Sequence, residues 1–422
     1  MSVLLINPVF SDQDPYCPPL GLAYLAAILD LHKIPVAIID MNVEQIQLPA
    51  LMSKIREARP ALVGLTSTVR NADDAIRLGR ELVMSGFTIV HGGSEPSAIP
   101  ERYLFENPGC LVLRGEAEYT LLALAKAILN GEEYANLSGL SYKDNTSFVH
   151  NPITEPIKNL DSLPFPARRL LLMERYTSRL GRRKATTVMG SRSCPYQCIF
   201  CHSSSLPLFR KRTPKNILLE IKSLVQDYNY RSFYFYDCTF TTSKRRVTEF
   251  CHLLLESGLD IEWQCMSRAD HCDLETMRLM RQAGCVRIAV GAESGSARSL
   301  QLMKKNITPH QIERFFADLV TAGIRTRGYF VLGFPWETRD DFQATYDLVR
   351  RIRPDEVAVS FATPLPGTEL HAMVSKTYPY TIPRNGMLMG KAAFIPSGFT
   401  EQDLIEYRDM INHFVEGTGK NI

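Results

Sequence analysis

The chain has 422 residues, with 48 Lys and Arg against 45 Asp and Glu for a formal charge of +3, and 45% of its residues are hydrophobic. That balance excludes an intrinsically disordered chain and a polybasic nucleic-acid arm, and 25 Gly and 25 Pro without periodicity exclude collagen-like and low-complexity classes. At roughly 100 to 200 residues per domain, the length implies two or three domains with cores of their own.

The first 150 residues alternate short β-branched runs with amphipathic stretches, the pattern of a parallel sheet covered on both faces. Strands are expected at Val3–Ile6, Val36–Ile39, Leu62–Thr66, Thr88–His91 and Leu111–Arg114, with helices at about Gly21–Leu31, Gln47–Ala58, Asp73–Met84 and Glu118–Leu129. The fold class is α/β, and residues 1–150 read as a Rossmann-like domain, whose ligands bind at the carboxyl ends of the strands. The loops there are Asn7-Pro8, Asp40, Thr66-Ser67-Thr68-Val69-Arg70-Asn71, His91-Gly92-Gly93-Ser94-Glu95-Pro96-Ser97 and Arg114-Gly115-Glu116. Their Gly, Ser and Thr would let a backbone approach a large ligand closely.

Residues 151–184 read as a linker, broken by Pro152, Pro156, Pro164 and Pro166, with the basic pairs Arg168-Arg169 and Arg182-Arg183 read as solvated charge. A second alternation runs over residues 185–370. Strands are expected at Thr186–Met189, Ser232–Tyr236, Ile261–Cys265, Val286–Gly291, Gly328–Leu332 and Glu356–Phe361, and helices near Lys215–Tyr228, Lys244–Ser257, Asp273–Gln282, Pro309–Ala322 and Arg339–Ile352. Six such units make a partial (β/α)6 barrel. Residues 371–422 form a short C-terminal region with a helix near Glu401–Phe414.

The start Met1-Ser2-Val3-Leu4-Leu5-Ile6 has no basic stretch and no long apolar core, and no run reaches about eighteen apolar residues. A cytoplasmic protein with reduced thiols and no membrane or nucleic-acid partner is expected. Of ten cysteines, Cys17, Cys110, Cys238, Cys251, Cys265, Cys272 and Cys285 are dispersed and read as small hydrophobes. The other three form Cys194-Pro195-Tyr196-Gln197-Cys198-Ile199-Phe200-Cys201, a C-x3-C-x2-C loop just after the first barrel strand. Three soft thiolates suit an iron–sulfur cluster or zinc, with His202 as a fourth zinc ligand; the mouth of a βα array disfavours zinc. On a cubane, three thiolates leave one iron open, with Pro195 and Phe200 as a shield.

This loop resembles that of the radical S-adenosylmethionine (SAM) superfamily. Further resemblances follow in chain order: Tyr234-Phe235-Tyr236-Asp237-Cys238 to the second-strand motif, Ser267-Arg268-Ala269-Asp270 to the third, Val290-Gly291-Ala292-Glu293-Ser294-Gly295 to the fourth, Leu332-Gly333-Phe334-Pro335-Trp336-Glu337-Thr338 to the fifth, and Pro364-Leu365-Pro366-Gly367-Thr368 to the sixth. The resemblance implies a 4Fe-4S cluster on Cys194, Cys198 and Cys201, and SAM held by Asp237, Arg268, Glu293, Ser294 and Gly333. Cys238 stands where many relatives carry a second acid.

Asn7-Pro8, Pro18-Pro19-Leu20-Gly21, Pro60-Ala61-Leu62-Val63-Gly64, His91-Gly92-Gly93-Ser94-Glu95-Pro96-Ser97 and Arg114-Gly115-Glu116 resemble the cobalamin-binding domain of B12-dependent radical SAM enzymes, as Asn159-Leu160-Asp161-Ser162-Leu163-Pro164 resembles their interdomain segment. The resemblance implies cobalamin contacts from Thr66, Ser67, Thr68, Val69, Arg70, Gly92, Gly93, Ser94 and Glu116. Asp30-Leu31-His32 has Pro35 where the cobalt-ligating D-x-H-x-x-G motif needs Gly, so His32 reads as a surface histidine and the cobalamin as base-off without a His ligand. His91 reads as a loop histidine bonding cobalamin amides or backbone.

The family resemblance implies a methyltransferase: one SAM methylates cobalamin, a second yields a 5'-deoxyadenosyl radical, and a substrate radical takes methyl from methylcobalamin, with corrin and cluster across a shared cavity. An electron donor such as ferredoxin or flavodoxin is implied. Tyr16, Tyr329 and Cys238 are candidate proton or hydrogen donors. The short C-terminal region resembles compact members that methylate protein or peptide residues, the glutamine C-methylase of methyl-coenzyme M reductase among them. The alternatives are an oxidative cyclase or ring-forming oxidase, a methylthiotransferase, for which Cys17 and Cys110 are too few additional ligands, and a non-enzymatic cobalamin-binding sensor.

Overall fold

The computed structural model describes residues 2–9, 17–153, 155–181, 183–206, 208–383 and 390–417. Tyr16 and Arg182 lie outside the described residues. The chain divides into two compact units, one reaching from the N-terminus to Ser178 and the other beginning at Arg179.

The first unit is built on a seven-stranded sheet ordered β2-β1-β3-β4-β5-β6-β7: β1 (Val3–Asn7), β2 (Val36–Asp40), β3 (Leu62–Thr66), β4 (Ile89–Gly92), β5 (Leu111–Leu113), β6 (Leu140–Asp144) and β7 (Ser147–His150). The first five are parallel, in the order 2-1-3-4-5. This doubly wound order reverses between β1 and β3, and the crevice beyond their carboxyl ends is where such sheets bind ligands. The β1 strand is buried on both faces, which is why Val3-Leu4-Leu5-Ile6 reads as one apolar run without alternation. Helices Leu20–Leu31, Leu48–Ala58, Ala72–Met84 and Glu118–Asn130 lie where the apolar periodicity placed them. The antiparallel pair β6 and β7 escaped the sequence reading because its residues from Tyr142 on are half-buried or exposed and show no sustained apolar run. The segment read as a linker is docked on this unit: the Ala167 amide donates to the Ala23 carbonyl (2.9 Å), and Tyr176 donates its hydroxyl to Asp40 (2.9 Å). Arg168, read as solvated charge, is instead 4% exposed.

The second unit adds β8 (Arg179–Leu180), β9 (Arg183–Val188), β10 (Ser191–Arg192), β11 (Arg210–Lys211), β12 (Ser232–Phe235), β13 (Glu262–Ser267), β14 (Cys285–Glu293), β15 (Arg325–Leu332) and β16 (Glu356–Phe361). Its main sheet runs β16-β15-β14-β13-β12-β9-β8, six parallel strands with β8 antiparallel at the edge, each parallel pair bridged by a helix. This is the expected partial barrel, closed off by helix Glu401–Gly417, whose Tyr407 ring stands edge-on to Phe342 of helix Arg339–Ile352. Its helices carry strong starts: Ser243 and Asp273 accept the amides of Arg246 and Thr276, and Thr308 with Gln311 forms a capping box ahead of Pro309. Phe235, Phe240, Phe250 and Trp263 meet at ring separations of 4.3 to 5.7 Å. Each such buried ring contributes about 1.5 to 3 kcal/mol. Cys251, Cys265 and Cys285 are buried, as expected of packed thiols.

Candidate functional site

The cysteine loop hangs from the β10–β11 pair, in which Ser191 faces Lys211 and Arg192 faces Arg210. A buried framework holds its entry. The Gly190 amide donates to one Asp237 oxygen (2.9 Å), Ser191 donates its hydroxyl to the other, and Arg246 donates to the carbonyls of Gly190 and Arg212. Asp237 is 1% exposed. Expected to contact SAM, it has both oxygens occupied inside the fold and acts as a strut for the loop. Farther on, the Ile199 amide donates to the Met303 carbonyl and the Leu370 amide to the Ile199 carbonyl, so both flanks are tied to the barrel. Phe200 stands edge-on to Phe334 at 5.5 Å.

Cys194, Cys198 and Cys201 lie within electrostatic reach of one another, and burial pushes the Cys194 thiol up to about 11. The Cys198 thiol is also raised by burial, against the pull of Lys305 and Arg268 nearby. Among the described residues no three Cys, His, Asp or Glu side chains converge on a single metal ion. A four-iron cluster takes each thiolate on a different iron, so this loop fits a cluster better than zinc. Thiols raised by burial release their protons as the iron charge arrives.

Beside Cys198 lies a floor of buried charge. Arg268 is 4% exposed, lies 3.8 Å over the Tyr196 ring, and donates to both Asp270 oxygens (3.0 and 3.1 Å) and to the Lys305 carbonyl (2.6 Å). Its Nη1 is buried without a hydrogen-bond partner. A buried guanidinium with one unsatisfied nitrogen calls for an anionic oxygen, and a methionyl carboxylate meets that need. Next to it, Lys305 donates to Glu293 (2.7 Å). Glu293 sits at φ +64° where the pairing of β14 with β15 shifts register. That backbone conformation is disfavoured for a non-glycine residue, and here it coincides with a break in the sheet register. A Cβ at Gly291 would stand 2.5 Å from the Glu293 carboxylate and 2.8 Å from the Lys305 ammonium, so a side chain there would displace the pair. Ser193, just before Cys194, is likewise left-handed at φ +65°. Sequence reasoning found Arg268 and Glu293 but missed Lys305, which lies in a Lys304-Lys305-Asn306 run that signals nothing beyond a helix end.

Two more of the expected SAM residues, Ser294 and Gly333, make contacts within the fold. Ser294 is fully buried, hydrogen-bonded to Thr345 (3.1 Å) and to the Ser296 amide (3.1 Å). The Gly333 amide donates to Glu337 (2.8 Å) and its φ of +90° closes a turn; Glu337 also accepts from the Phe334 amide and the Ser299 hydroxyl. Glu337 is 3% exposed, and burial pushes its carboxyl up to about 7. The fourth- and fifth-strand motifs are thus joined to each other through Ser296, Ser299, Glu337 and Asp341. Cys238 is the exposed exception among the dispersed cysteines, 3.0 Å from the Ser203 hydroxyl and within electrostatic reach of Cys201. Tyr329 is half-buried in β15, with Arg327 5.3 Å from its ring centre.

In the first unit the strand ends are tied inward. Ser67 bonds the Tyr103 hydroxyl (2.6 Å), which donates to Glu95 (3.1 Å), and Ser67 is fully buried. Gly93, at φ +118°, would place a Cβ 2.2 Å from the Ser67 carbonyl oxygen. Its missing side chain therefore accommodates the protein's own backbone. Glu116 accepts the Ile157 amide (3.0 Å), anchoring the docked segment. His91, expected in the loop, is fully buried between Tyr103 (ring centres 4.9 Å apart) and Asn107 (3.0 Å), and burial holds it down at about 3. It is a core histidine because helix residue Gly79 leaves room for its ring. His32 is exposed, as expected. What remains open is the tip of the β3 loop: Asn71 accepts the Thr68 amide (2.8 Å) and holds out half-buried Thr68 and Val69 and exposed Arg70, while Asn71 Nδ2 is buried without a partner. A held-out tip at the switch point, with one unsatisfied donor under it, fits a large planar ligand.

The radical SAM superfamily model matches residues 188–349 and the B12 binding domain model residues 8–125. An uncharacterized methyltransferase of Pyrococcus horikoshii, PH0819, is 33% identical over 360 residues, covering 84% of this chain and 77% of its own. The chain belongs to the cobalamin-dependent radical SAM family. The anaerobic magnesium-protoporphyrin IX monomethyl ester cyclase of Rubrivivax gelatinosus is 26% identical over 386 residues, 88% of this chain and 69% of its own. Two solved members of this radical SAM group share the fold. OxsB, a cobalamin-dependent S-adenosylmethionine radical enzyme with aqua-cobalamin and S-adenosylmethionine bound, matches with TM-score 0.81 at 22% identity over 96% of this chain, which spans only 65% of the OxsB chain. TsrM from Kitasatospora setae matches with TM-score 0.74 at 20% identity, over 91% of this chain and 76% of its own. Among the described residues no helix is long and apolar enough to cross a membrane.

Proposed function

We propose that this cobalamin-dependent radical SAM chain is a methyltransferase acting on an unactivated carbon. The observation that carries the reading is the buried floor beside Cys198, where Arg268 keeps one nitrogen unbonded and Lys305 pairs with strained Glu293. Cys194, Cys198 and Cys201 hold the cluster; Arg268 orients the methionyl carboxylate, and Glu293 with Lys305 sets the charge around the methionyl amino group. When bound, cluster and corrin supply radical generation and methyl carriage, respectively. Electrons come from a ferredoxin- or flavodoxin-type donor. Thr68, Val69 and Arg70 line the lower corrin face, with Thr66, Gly92, Ser94 and Glu116 shaping its rim. The commitment of His91 to Asn107 and Tyr103 supports a base-off corrin without a His on cobalt. Cys238 and Tyr329 stand as proton or hydrogen donors to the substrate. The identity of 33% to a methyltransferase, against 26% to a cyclase, favours methyl transfer over ring formation.

The test is anaerobic turnover of reconstituted enzyme with methyl-deuterated SAM and a dithionite-reduced flavodoxin. Deuterated methyl in product together with 5'-deoxyadenosine is expected; deoxyadenosine without any methylated species would overturn methyl transfer and favour the cyclase. Label in a protein or peptide fraction supports a residue as acceptor, the compact-member reading, and label confined to small molecules discards it.

A further inference from the structure

Strand β15 carries two arginines that sequence reasoning left outside the strand, since a parallel barrel strand is expected to be apolar on both faces. In the structure Thr326, Gly328, Phe330 and Leu332 are buried, Gly328 lying against Phe316 of the covering helix, while Arg325, Arg327, Tyr329 and Val331 stand half-buried on the opposite, open face. The neighbouring strands continue that face: Arg327 is in register with Ala289 of β14 and Glu356 of β16, Tyr329 with Gly291 and Ala358. The inner wall of the half-barrel therefore bears a basic step two residues, about 7 Å, below the level of Gly291.

One carboxylate, Glu356, serves the whole step: Arg325 donates to it at 3.3 Å and Arg327 approaches it at 3.8 Å. Glu356 is held by Arg287, which donates to both of its oxygens at 2.6 and 2.8 Å. Arg327 comes no closer to Glu356 than 3.8 Å, and its Nε is buried without a partner. Its guanidinium also lies 5.3 Å from the centre of the Tyr329 ring. Among the described residues its guanidinium makes no hydrogen bond, although its side chain is 33% exposed to the lumen. Guanidinium forks on a rigid strand are built to take a planar or tetrahedral anion through paired N–H donors. A fork left unbonded one step beneath the charged floor is a binding element awaiting its ligand.

We propose that Arg327, flanked by Tyr329 and Arg325, binds an anionic oxygen group of the substrate, a phosphoryl or carboxylate group, and so sets how deep the substrate sits in the barrel. This rests on the reading of the lumen as the substrate site. It does not rest on methyl transfer, because the test uses neither SAM nor turnover.

The experiment is calorimetric titration of the full chain at low salt, with inorganic phosphate in one arm and acetate in the other. Saturable, salt-sensitive binding is expected in at least one arm, and the tighter arm assigns phosphoryl or carboxylate. Arg327→Gln should weaken it at least tenfold, and Arg327→Lys severalfold, since a lysine keeps the charge but loses the fork. Glu356→Gln should tighten it severalfold by removing the competing carboxylate. Arg314→Gln, on an exposed helix face, controls for net charge and should leave it unchanged. No saturation in either arm, or equal affinity in Arg327→Gln, overturns the proposal. If Arg327→Gln fails to fold, Glu356→Gln decides: tightening supports the site, and unchanged or weaker binding overturns it.

Discussion

At the end of β3, the Ser67 hydroxyl is committed to Tyr103 and the backbone of Gly93 presses against the Ser67 carbonyl; at the end of β13, Arg268 stacks on Tyr196 and still keeps a buried nitrogen unbonded. Both sheets present the carboxyl ends of parallel strands, but the first unit ties Ser67 and Gly93 inward and holds out a loop tip over the buried Asn71 amide, whereas the second buries a guanidinium and an ammonium beside its cysteine loop. On the proposed reading, ligand recognition in the first unit rests on backbone shape, and in the second on charge. The two therefore fail differently when altered.

The largest effect is expected at the thiols. Cys198→Ala should abolish the cluster absorbance of anaerobically reconstituted enzyme and lower 5'-deoxyadenosine formation by more than about a hundredfold, while cobalamin still binds. Loss of corrin binding in the same variant would break the separation between a shape-built and a charge-built unit. Next, Lys305→Ala leaves Glu293 buried without its cation and should cost about 3 to 5 kcal/mol in urea unfolding, with Lys305→Met combined with Glu293→Gln recovering much of it. Equal losses in the single and double variants would show that packing, and not charge, holds that floor. Gly93→Ala attacks the other unit sterically, at a left-handed φ against fixed backbone, and should cost about 2 to 4 kcal/mol without altering the cluster spectrum.

The smallest effects should run in opposite directions with pH. Glu337 in the second unit has its carboxyl raised by burial to about 7, so the native state holds a proton the unfolded chain has lost. Its contribution is complete below about 4.5 and is lost as pH rises toward 7. His91 in the first unit is held neutral, with its value lowered by burial to about 3. Its contribution is complete above about 6.5 and is lost as pH falls toward 3. Between pH 5 and 6.5 the first unit should gain stability with rising pH and the second should lose it, by about 1 kcal/mol or more each. Calorimetry across that range reads this directly, and Glu337→Gln should flatten the slope of the second unit alone.

Much of the architecture is legible in the order of the residues. The cysteine spacing, the serial strand-end motifs and the apolar runs lead to the family, the partial barrel and the place of the cluster. Helix boundaries fall within a residue or two of expectation where caps such as Ser243, Asp273 and Thr308 stand. The contacts that strand-end residues make within the fold are less legible. Asp237, Ser294, Gly93 and His91 sit at strand ends, where a polar residue or glycine reads as a ligand contact, but each is used by the fold: Asp237 by Gly190 and Ser191, Ser294 by Thr345 and Ser296, Gly93 by Ser67, His91 by Asn107.

The sequence by itself determined which chemistry the chain is equipped for, because thiol spacing and strand periodicity are local properties written in consecutive residues. Tertiary structure alone decided which polar groups are left over. Whether a side chain is satisfied depends on partners tens of residues away, as with Lys305 beside Cys198 or Glu356 drawn to Arg287, and only that balance reveals that Arg268 and Arg327 each keep a buried nitrogen without a hydrogen-bond partner.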